Sequence, residues 1–534
     1  MSTYRVLVAD KIAREGLAPL ADDPRFELVE RAGLKGEELA AAIADADAVL
    51  VRSATKITRE ALARATRLRV IGRAGVGGDT IDVDAATEKG VAVMNAPAGN
   101  TISAAELAFA LLLAVIRKVP AADRSMKAGA WDRTSFGGME LYRKTLGLIG
   151  AGRVGGEVGR RARAFGMRVL AYDPFLSPEA AREIGAELAD LDAVLRQADV
   201  ISLHVPLTDK TRGMLGDEKL ALLKPGVIII NAARGGVLDE AALLRRLSDG
   251  SIGGAALDVF DQEPLPADHP LRTLPNVVLT PHLGASTEEA QLNVAVEIAE
   301  AVRSALVDGD YSRAVNAALV GGDRLQRLRP LLDLAERLGR VGAAVAGGAV
   351  TGVELRFGGE GDDLLRPLAA GALIGLLSEA VGEGAVNVVN ALHLARQRGI
   401  KVDRTRVDGP LDYTDLVELR IQHAAGTTRV SGALLGAGHP RLVALDDFRL
   451  NVLPVGQLLV LRNQDVPGVI GRVGTLLGNA GINIAEYHQA RLSAGGAALA
   501  VVSVDAPLPT ALQEQLRRLP EVQQLAQVSL GAAG

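Results

Sequence analysis

Short runs of Val, Ile and Leu alternate with Ala-rich helical stretches through roughly the first 310 residues, as in VAVMNA, TLGLIGAG, RVLAYD, DVISLHVP, GVIIINAAR, GAALDVF and NVVLTPH. Nearly continuous apolar runs of this length suit strands buried on both faces, the condition of a parallel sheet. Parallel neighbours need a crossover, usually a helix. The alternation therefore predicts βαβ units and a doubly wound α/β fold.

The chain has 534 residues, too many for one compact core, so several domains are expected. A net charge of -5 with no block of like charge argues against a nucleic-acid partner. There is no cysteine, which removes disulfides, thiolate metal sites and thiol nucleophiles and is compatible with a cytoplasmic home. The opening MSTYRVLVADKIA reads as a strand, not a signal peptide. The apolar run Leu107 to Ile116 is about half the roughly 20 residues that cross a bilayer, so a buried helix and no membrane partner are expected.

Past a long helix from Thr287 to Asp308, the stretch VNAALVGGDRL (315–325) reads as a boundary. An Arg-rich helix and Gly-rich segments with weaker strand signals follow, to about Val452. The last 80 or so residues read strand, helix, strand, strand, helix, strand, the ferredoxin-like order.

Within LGLIGAGRVGGEVG, Gly150, Gly152 and Gly155 stand in G-x-G-x-x-G spacing after an apolar strand and at the start of a helix. That context makes the motif a dinucleotide site. Gly150 permits the tight turn, Gly152 lets backbone approach a pyrophosphate, and Gly155 allows close helix packing. The helix N-terminus offers free N–H donors. Asp173 ends the next strand, 18 residues after Gly155, where a carboxylate accepts from ribose hydroxyls and repels a 2′-phosphate; Pro174 follows, with no arginine beside it, so NAD is expected.

Three further strand ends carry polar residues: IINAARGGVLDE with Arg234, ALDVFDQEP with Asp258 and Glu263, and LTPHLGAST with His282. Hydride transfer from a hydroxy acid needs a base for the hydroxyl proton, which His282 can be. It needs a carboxylate to brace the imidazole, which Glu263 can be. It also needs a fixed cation for the substrate carboxylate, which the planar fork of Arg234 can be. His204, in SLHVPLT, lies at an earlier strand end and reads as lining the cofactor cleft. No clustered ligand pattern points to a metal.

Together GRAGVGGDTID, NAPAGNTISAAELA, GLIGAGRVGGEV, NAARGGVLDE, ALDVFDQEP and TPHLGAST resemble the D-isomer-specific 2-hydroxyacid dehydrogenases. Length and tail narrow the resemblance to the D-3-phosphoglycerate dehydrogenase branch with two added C-terminal domains. It implies a Rossmann-like nucleotide domain (98–282) inserted in a discontinuous flavodoxin-like substrate domain (1–97 and 283–313). An α+β intervening domain (314–452) and a ferredoxin-like ACT regulatory domain (453–534) follow. By motif position the catalytic trio is Arg234, Glu263 and His282. NAD contacts carry over to Gly150, Gly152, Arg153, Val154, Gly155, Asp173, His204, Val205, Pro206, Ala232, Ala233, Arg234, Asp258, His282 and Gly284.

The implied substrate, 3-phosphoglycerate, is a carboxylate and a phosphate, and on a net-negative protein local arginines must gather it. Arg52, Ser53, Arg73, Gly75, Val76 and Asn100, with Arg234 and His282, are the expected substrate contacts. Trp131 and Arg133 look like family residues that reach the site from a neighbouring subunit, so a homodimer or homotetramer is implied. RNQDVPGVIGRVGTLLGNAGINIAEYHQAR resembles an ACT domain, with Asn463, Asp465 and Asn483 at the effector positions for L-serine; some serine-inhibited relatives carry a histidine near the place of Asn463. The implied activity is NAD-dependent oxidation of 3-phosphoglycerate in L-serine biosynthesis. The alternatives are another D-2-hydroxyacid dehydrogenase of the glycerate or hydroxypyruvate type, and an NADH-sensing corepressor-like binding protein.

Overall fold

The computed structural model describes residues 3–77, 80–317, 323–382, 384–408, 412–436 and 438–531. The expected boundary at 315–325 lies partly outside them.

The first sheet contains β1 (Tyr4–Val8), β2 (Phe26–Glu30), β3 (Ala48–Val51), β4 (Val70–Arg73) and β5 (Ala92–Asn95), all parallel, in the order β2-β1-β3-β4-β5. This is the flavodoxin-like order. All four residues of β3 are buried. One face is covered by a helix from far along the chain, Glu288–Asp308, whose Ile298, Ala299 and Val302 join Val6, Leu50 and Val70 in one core. Thr287 caps that helix by accepting from the Ala290 N–H, and Gly309 ends it at φ 69°, the left-handed conformation glycine adopts without penalty. The crossing out of this sheet is braced where Glu297 accepts the backbone N–H groups of Ala98 (3.1 Å) and Gly99 (2.9 Å).

The second sheet contains β6 (Thr145–Ile149), β7 (Arg168–Tyr172), β8 (Glu187–Leu188), β9 (Val200–Leu203), β10 (Val227–Asn231), β11 (Ile252–Leu257) and β12 (Val277–Leu279). Its order is β12-β11-β10-β9-β6-β7-β8, with every pair parallel. Counted from β6 this is the Rossmann order with one strand added. The direction of winding reverses between β6 and β9, the switch point where such sheets take ligands. Separate cores on the two faces, around Leu148 and Val169 on one and Ile201 and Ile229 on the other, explain the unbroken apolar runs.

The third sheet is mixed. It contains β13 (Val350–Phe357), β14 (Lys401–Arg406), β15 (Val417–His423), β16 (Gly426–Leu435), β17 (His439–Leu445) and β18 (Phe448–Val452), in the order β14-β13-β15-β16-β17-β18. The helices Asp323–Val345 and Leu365–Val381 pack with it. The span Asp362–Val381 is long and apolar enough to cross a membrane by length and composition alone, and 67% of its apolar window is buried in the protein. From the same unit Asn387 Nδ2 donates to the Gly90 carbonyl at 2.9 Å, and Val389 enters the core of the first sheet.

The fourth sheet contains β19 (Gly456–Gln464), β20 (Ile484–Arg491), β21 (Ala497–Val504) and β22 (Val522–Leu530), in the order β20-β21-β19-β22, with helices Val469–Asn479 and Thr510–Arg517. The βαββαβ order is that expected from the sequence. One face packs on its own two helices. The other, through Leu458, Val460, Leu499, Val501, Ala526 and Val528, joins the core of the third sheet, so the two C-terminal units share one interior.

Candidate active site

Because every strand pair in the second sheet is parallel, all its carboxyl ends lie on one edge. β6 delivers the glycine turn, β7 Asp173, β9 His204 to Pro206, β10 Ala232 to Arg234, β11 Asp258, and β12 the His282 loop.

The glycine turn fits a dinucleotide on three counts. Gly150 has φ 88°, and a Cβ there would sit 2.8 Å from the His204 carbonyl. A Cβ on Gly152 would meet nothing within 4 Å, which leaves open backbone for a phosphate. A Cβ on Gly155 would overlap the Gly150 carbonyl oxygen. The helix that follows, Arg153–Ala164, has no side-chain cap and no acidic residue in its first turn, so its N–H groups and positive end are free for an anion. Asp173 stands over the turn, accepting from the Ala151 N–H at 2.9 Å and the Phe175 N–H at 2.9 Å. His204 contacts Ser202 Oγ through Nε2 at 2.8 Å, and burial pushes its imidazole down to about 4, so it is neutral at pH 7. Gly155→Ala is expected to cost about 1–3 kcal/mol of stability by overpacking and to weaken NADH binding about tenfold as the turn shifts. Thermal melts and NADH fluorescence titration read both effects, and unchanged NADH affinity would contradict the packing argument.

Arg234 sits on a turn closed by Asn231. The Asn231 amide donates to the Arg234 carbonyl (2.9 Å) and accepts from the Ala233 N–H (3.1 Å). The Arg234 guanidinium donates to the Ala233 carbonyl at 2.6 Å. Gly235 has no room for a side chain, because a Cβ would overlap the Phe260 carbonyl; the Arg234 loop therefore lies directly against the loop that carries Glu263.

His282 and Glu263, 19 residues apart, meet at 2.7 Å between Nδ1 and Oε2. An ionised carboxylate only accepts, so Nδ1 carries the proton in this pairing and Nε2 presents a lone pair. Glu263 is held in turn by the Phe260 N–H at 3.1 Å. His282 has φ 56°, a left-handed conformation rare for a side chain of its size. Its N–H donates to the Asp258 carbonyl at 2.9 Å.

Asp258, expected to touch NAD, is fully buried beneath this loop, and its carboxylate accepts from Thr280 Oγ1 (2.6 Å), Leu283 N–H (2.7 Å) and Gly284 N–H (3.0 Å). Burial pushes the carboxyl above its usual value against the pull of those bonds. Its oxygens thus hold the His282 loop. Asn231 and Thr280 were absent from the sequence expectations. An Asn closing the turn at a strand end was the one available signal for Asn231.

The expected substrate residues line the carboxyl edge of the first sheet. Arg52 and Ser53 follow β3, Arg73 ends β4, and Gly75 and Val76 follow it. Asp10 anchors the first loop by accepting from the Arg52 N–H (2.6 Å) and Thr55 Oγ1 (2.7 Å). Gly75, at φ 151°, leaves the space that the Arg73 guanidinium occupies. Asn100 starts the helix Thr101–Ile116, and its buried Oδ1 has no hydrogen-bond partner. A Cβ on Gly284 would lie 3.8 Å from Ala104 on that helix, which brings the helix start beside the His282 loop.

The effector residues are not gathered within one chain. Asn463 is buried at the end of β19 where Asp465 pairs with Arg491 at 3.1 Å; Asn483 sits at the other end of the sheet, donating to Asp505 at 3.0 Å.

Residues 109–284 match the family described as D-isomer specific 2-hydroxyacid dehydrogenase, NAD binding domain, residues 327–446 the D-3-phosphoglycerate dehydrogenase intervening domain, and residues 457–521 the ACT domain. A D-3-phosphoglycerate dehydrogenase of Synechocystis is 42% identical over 98% of this chain and 95% of its own. The chain belongs to the D-3-phosphoglycerate dehydrogenase family. Relatives of that name from Bacillus subtilis (40% identical, 97% of this chain and 98% of theirs) and Mycobacterium tuberculosis (41%, 99% and 100%) extend the match along its length.

Solved structures match somewhat more than half of the chain. A Thermus thermophilus protein matches with TM-score 0.53 at 37% identity, over 57% of this chain and 97% of its own. An NAD-dependent formate dehydrogenase of Staphylococcus aureus in complex with NAD matches with TM-score 0.51 at 28% identity, over 57% and 96%. NAD is the cofactor of this family's nucleotide domain, as the glycine turn and Asp173 predict.

Proposed function

We propose that this protein oxidises 3-phosphoglycerate to 3-phosphohydroxypyruvate with NAD, the first step of L-serine synthesis. The observation that carries the reading is the Glu263–His282 pair, joined at 2.7 Å on the edge that also holds the glycine turn and Arg234. Bound NAD supplies the hydride acceptor. Arg234 grips the substrate carboxylate and polarises the oxygen at C2. His282 takes the C2 hydroxyl proton on Nε2 as the hydride leaves C2, and Glu263 stabilises the imidazolium through Nδ1. Arg52, Ser53 and Arg73, with the loop amides at Gly75 and Val76, receive the phosphate, and Asn100 donates from its side-chain amide nitrogen to the substrate.

The reading extends to a homodimer or homotetramer in the cytoplasm. Trp131, 79% exposed, and Arg133 reach a neighbour's site in that assembly. L-serine binds where the Asn463 and Asp465 end of one ACT sheet meets the Asn483 end of another, an arrangement consistent with those residues standing at opposite sheet ends.

The test is formation of NADH at alkaline pH from 3-phosphoglycerate and from unphosphorylated D-hydroxy acids such as glycerate. Preference for the phosphorylated acid supports the reading. Equal or faster turnover of the unphosphorylated acids would transfer it to a glycerate-type dehydrogenase.

A further inference from the structure

Against the loop that carries Glu263 lies a second carboxylate and imidazole. Glu240 opens the helix Glu240–Ser248, and its side chain is only 14% exposed. One oxygen, Oε1, accepts the Asp261 N–H at 2.6 Å. The other, Oε2, faces His269 Nε2 at 3.5 Å. His269 Nδ1 accepts from the Leu271 N–H at 3.4 Å, capping the short helix Pro270–Thr273. That bond leaves the proton on Nε2, directed at Glu240. Asp261 in turn accepts the Gly236 N–H on Oδ1 at 2.6 Å.

The chain of contacts has a direction. Gly236 lies two residues beyond Arg234, and Asp261 two residues before Glu263. Asp261 ties these loops to each other, and Glu240 ties Asp261 to the helix framework. A capping acid at a helix start needs none of this, since Asp239 already caps the helix by accepting from the Ala242 N–H at 2.9 Å.

We propose that Glu240 and His269 are positioning residues that hold the Arg234 and Glu263 loops in register beneath the substrate. The assignment rests on the dehydrogenase reading above. The groups facing Glu240 are Asp261 and Glu263 from the loop and His269 from the short helix, with Asp239 preceding it on its own helix. Burial, above all, pushes the Glu240 carboxyl up; the Asp261 N–H that it accepts pulls it down, the Asp261 and Glu263 charges push it up, and His269 pulls it down.

Two variants separate position from charge. Glu240→Gln keeps an acceptor for the Asp261 N–H and removes the charge. Glu240→Ala removes both. The expected result for Glu240→Ala is a fall of about tenfold in kcat with little change in either KM, because small displacements of positioned groups cost up to about a hundredfold. Glu240→Gln is expected to restore kcat to near wild type. In both variants the KM values for the hydroxy acid and for NAD are expected to stay within about twofold of wild type, so that the loss is confined to kcat. A third readout needs no turnover: amide exchange across 258–264 should accelerate in Glu240→Ala and not in Glu240→Gln. A merely structural role would lower the melting temperature of both variants and leave the kcat of the folded enzyme and the exchange of 258–264 unchanged.

A near wild-type kcat for Glu240→Ala together with unchanged exchange in the loop overturns the proposal. A wild-type protein that oxidises no hydroxy acid overturns the dehydrogenase reading instead, and the exchange experiment alone then decides whether Glu240 braces the loop.

Discussion

His282→Asn is expected to lower kcat by roughly 10²–10⁴-fold, the usual worth of a well-placed base. Asparagine is the appropriate replacement because position 282 has φ 56°, a left-handed conformation that asparagine tolerates better than most side chains. The loop should therefore keep its bond from the 282 N–H to the Asp258 carbonyl and its anchoring on the Asp258 carboxylate. The proton acceptor is lost together with its Nδ1 bond to Glu263. NADH affinity, set by the glycine turn and Asp173, should stay within about twofold. Steady-state rates and fluorescence titration separate the two quantities. A variant with more than a tenth of wild-type kcat would mean that another group accepts the proton.

Arg234→Lys is expected to lower kcat/KM for the hydroxy acid by roughly 100-fold, about 2.7 kcal/mol of transition-state stabilisation. The charge survives the exchange and the geometry does not. The Arg234 turn is fixed by both ends of the Asn231 amide, and the guanidinium already gives one N–H to the Ala233 carbonyl. A guanidinium is a planar fork matched to a carboxylate, whereas an ammonium is a point charge on a flexible stem. The KM for NAD should be nearly unchanged. Equal losses for substrate and cofactor would assign Arg234 to general folding of the loop.

Much of the dehydrogenase core was legible in the sequence because buried parallel strands and their glycine turn leave local marks. TLGLIGAG declares a strand, a turn and a helix start within a few residues, and each strand-end motif stands beside its own strand. The third sheet was harder to read. Its edge strand Lys401–Arg406 is almost entirely exposed and carries charge at most positions, so no apolar run marks it. The brace from Glu240 to His269 was illegible for another reason. It joins residues 29 apart by sequence number, across a loop whose path only the folded chain defines. The bonds that Asp258 makes were illegible in the same way. Motif position suggested the cofactor, while the carboxylate turns inward to hold three groups of the His282 loop.

The helix Glu288–Asp308 that covers the first sheet has a consequence for how the protein is made. A ribosome completes all five strands of that sheet by residue 95, yet the side chains meant to cover one face emerge some 200 residues later. The inserted unit, contiguous and nearly self-sufficient, is free to fold first. Until the returning helix is translated, the nascent amino-terminal segment keeps an apolar face uncovered, and that is the interval in which chaperone capture or aggregation would strike.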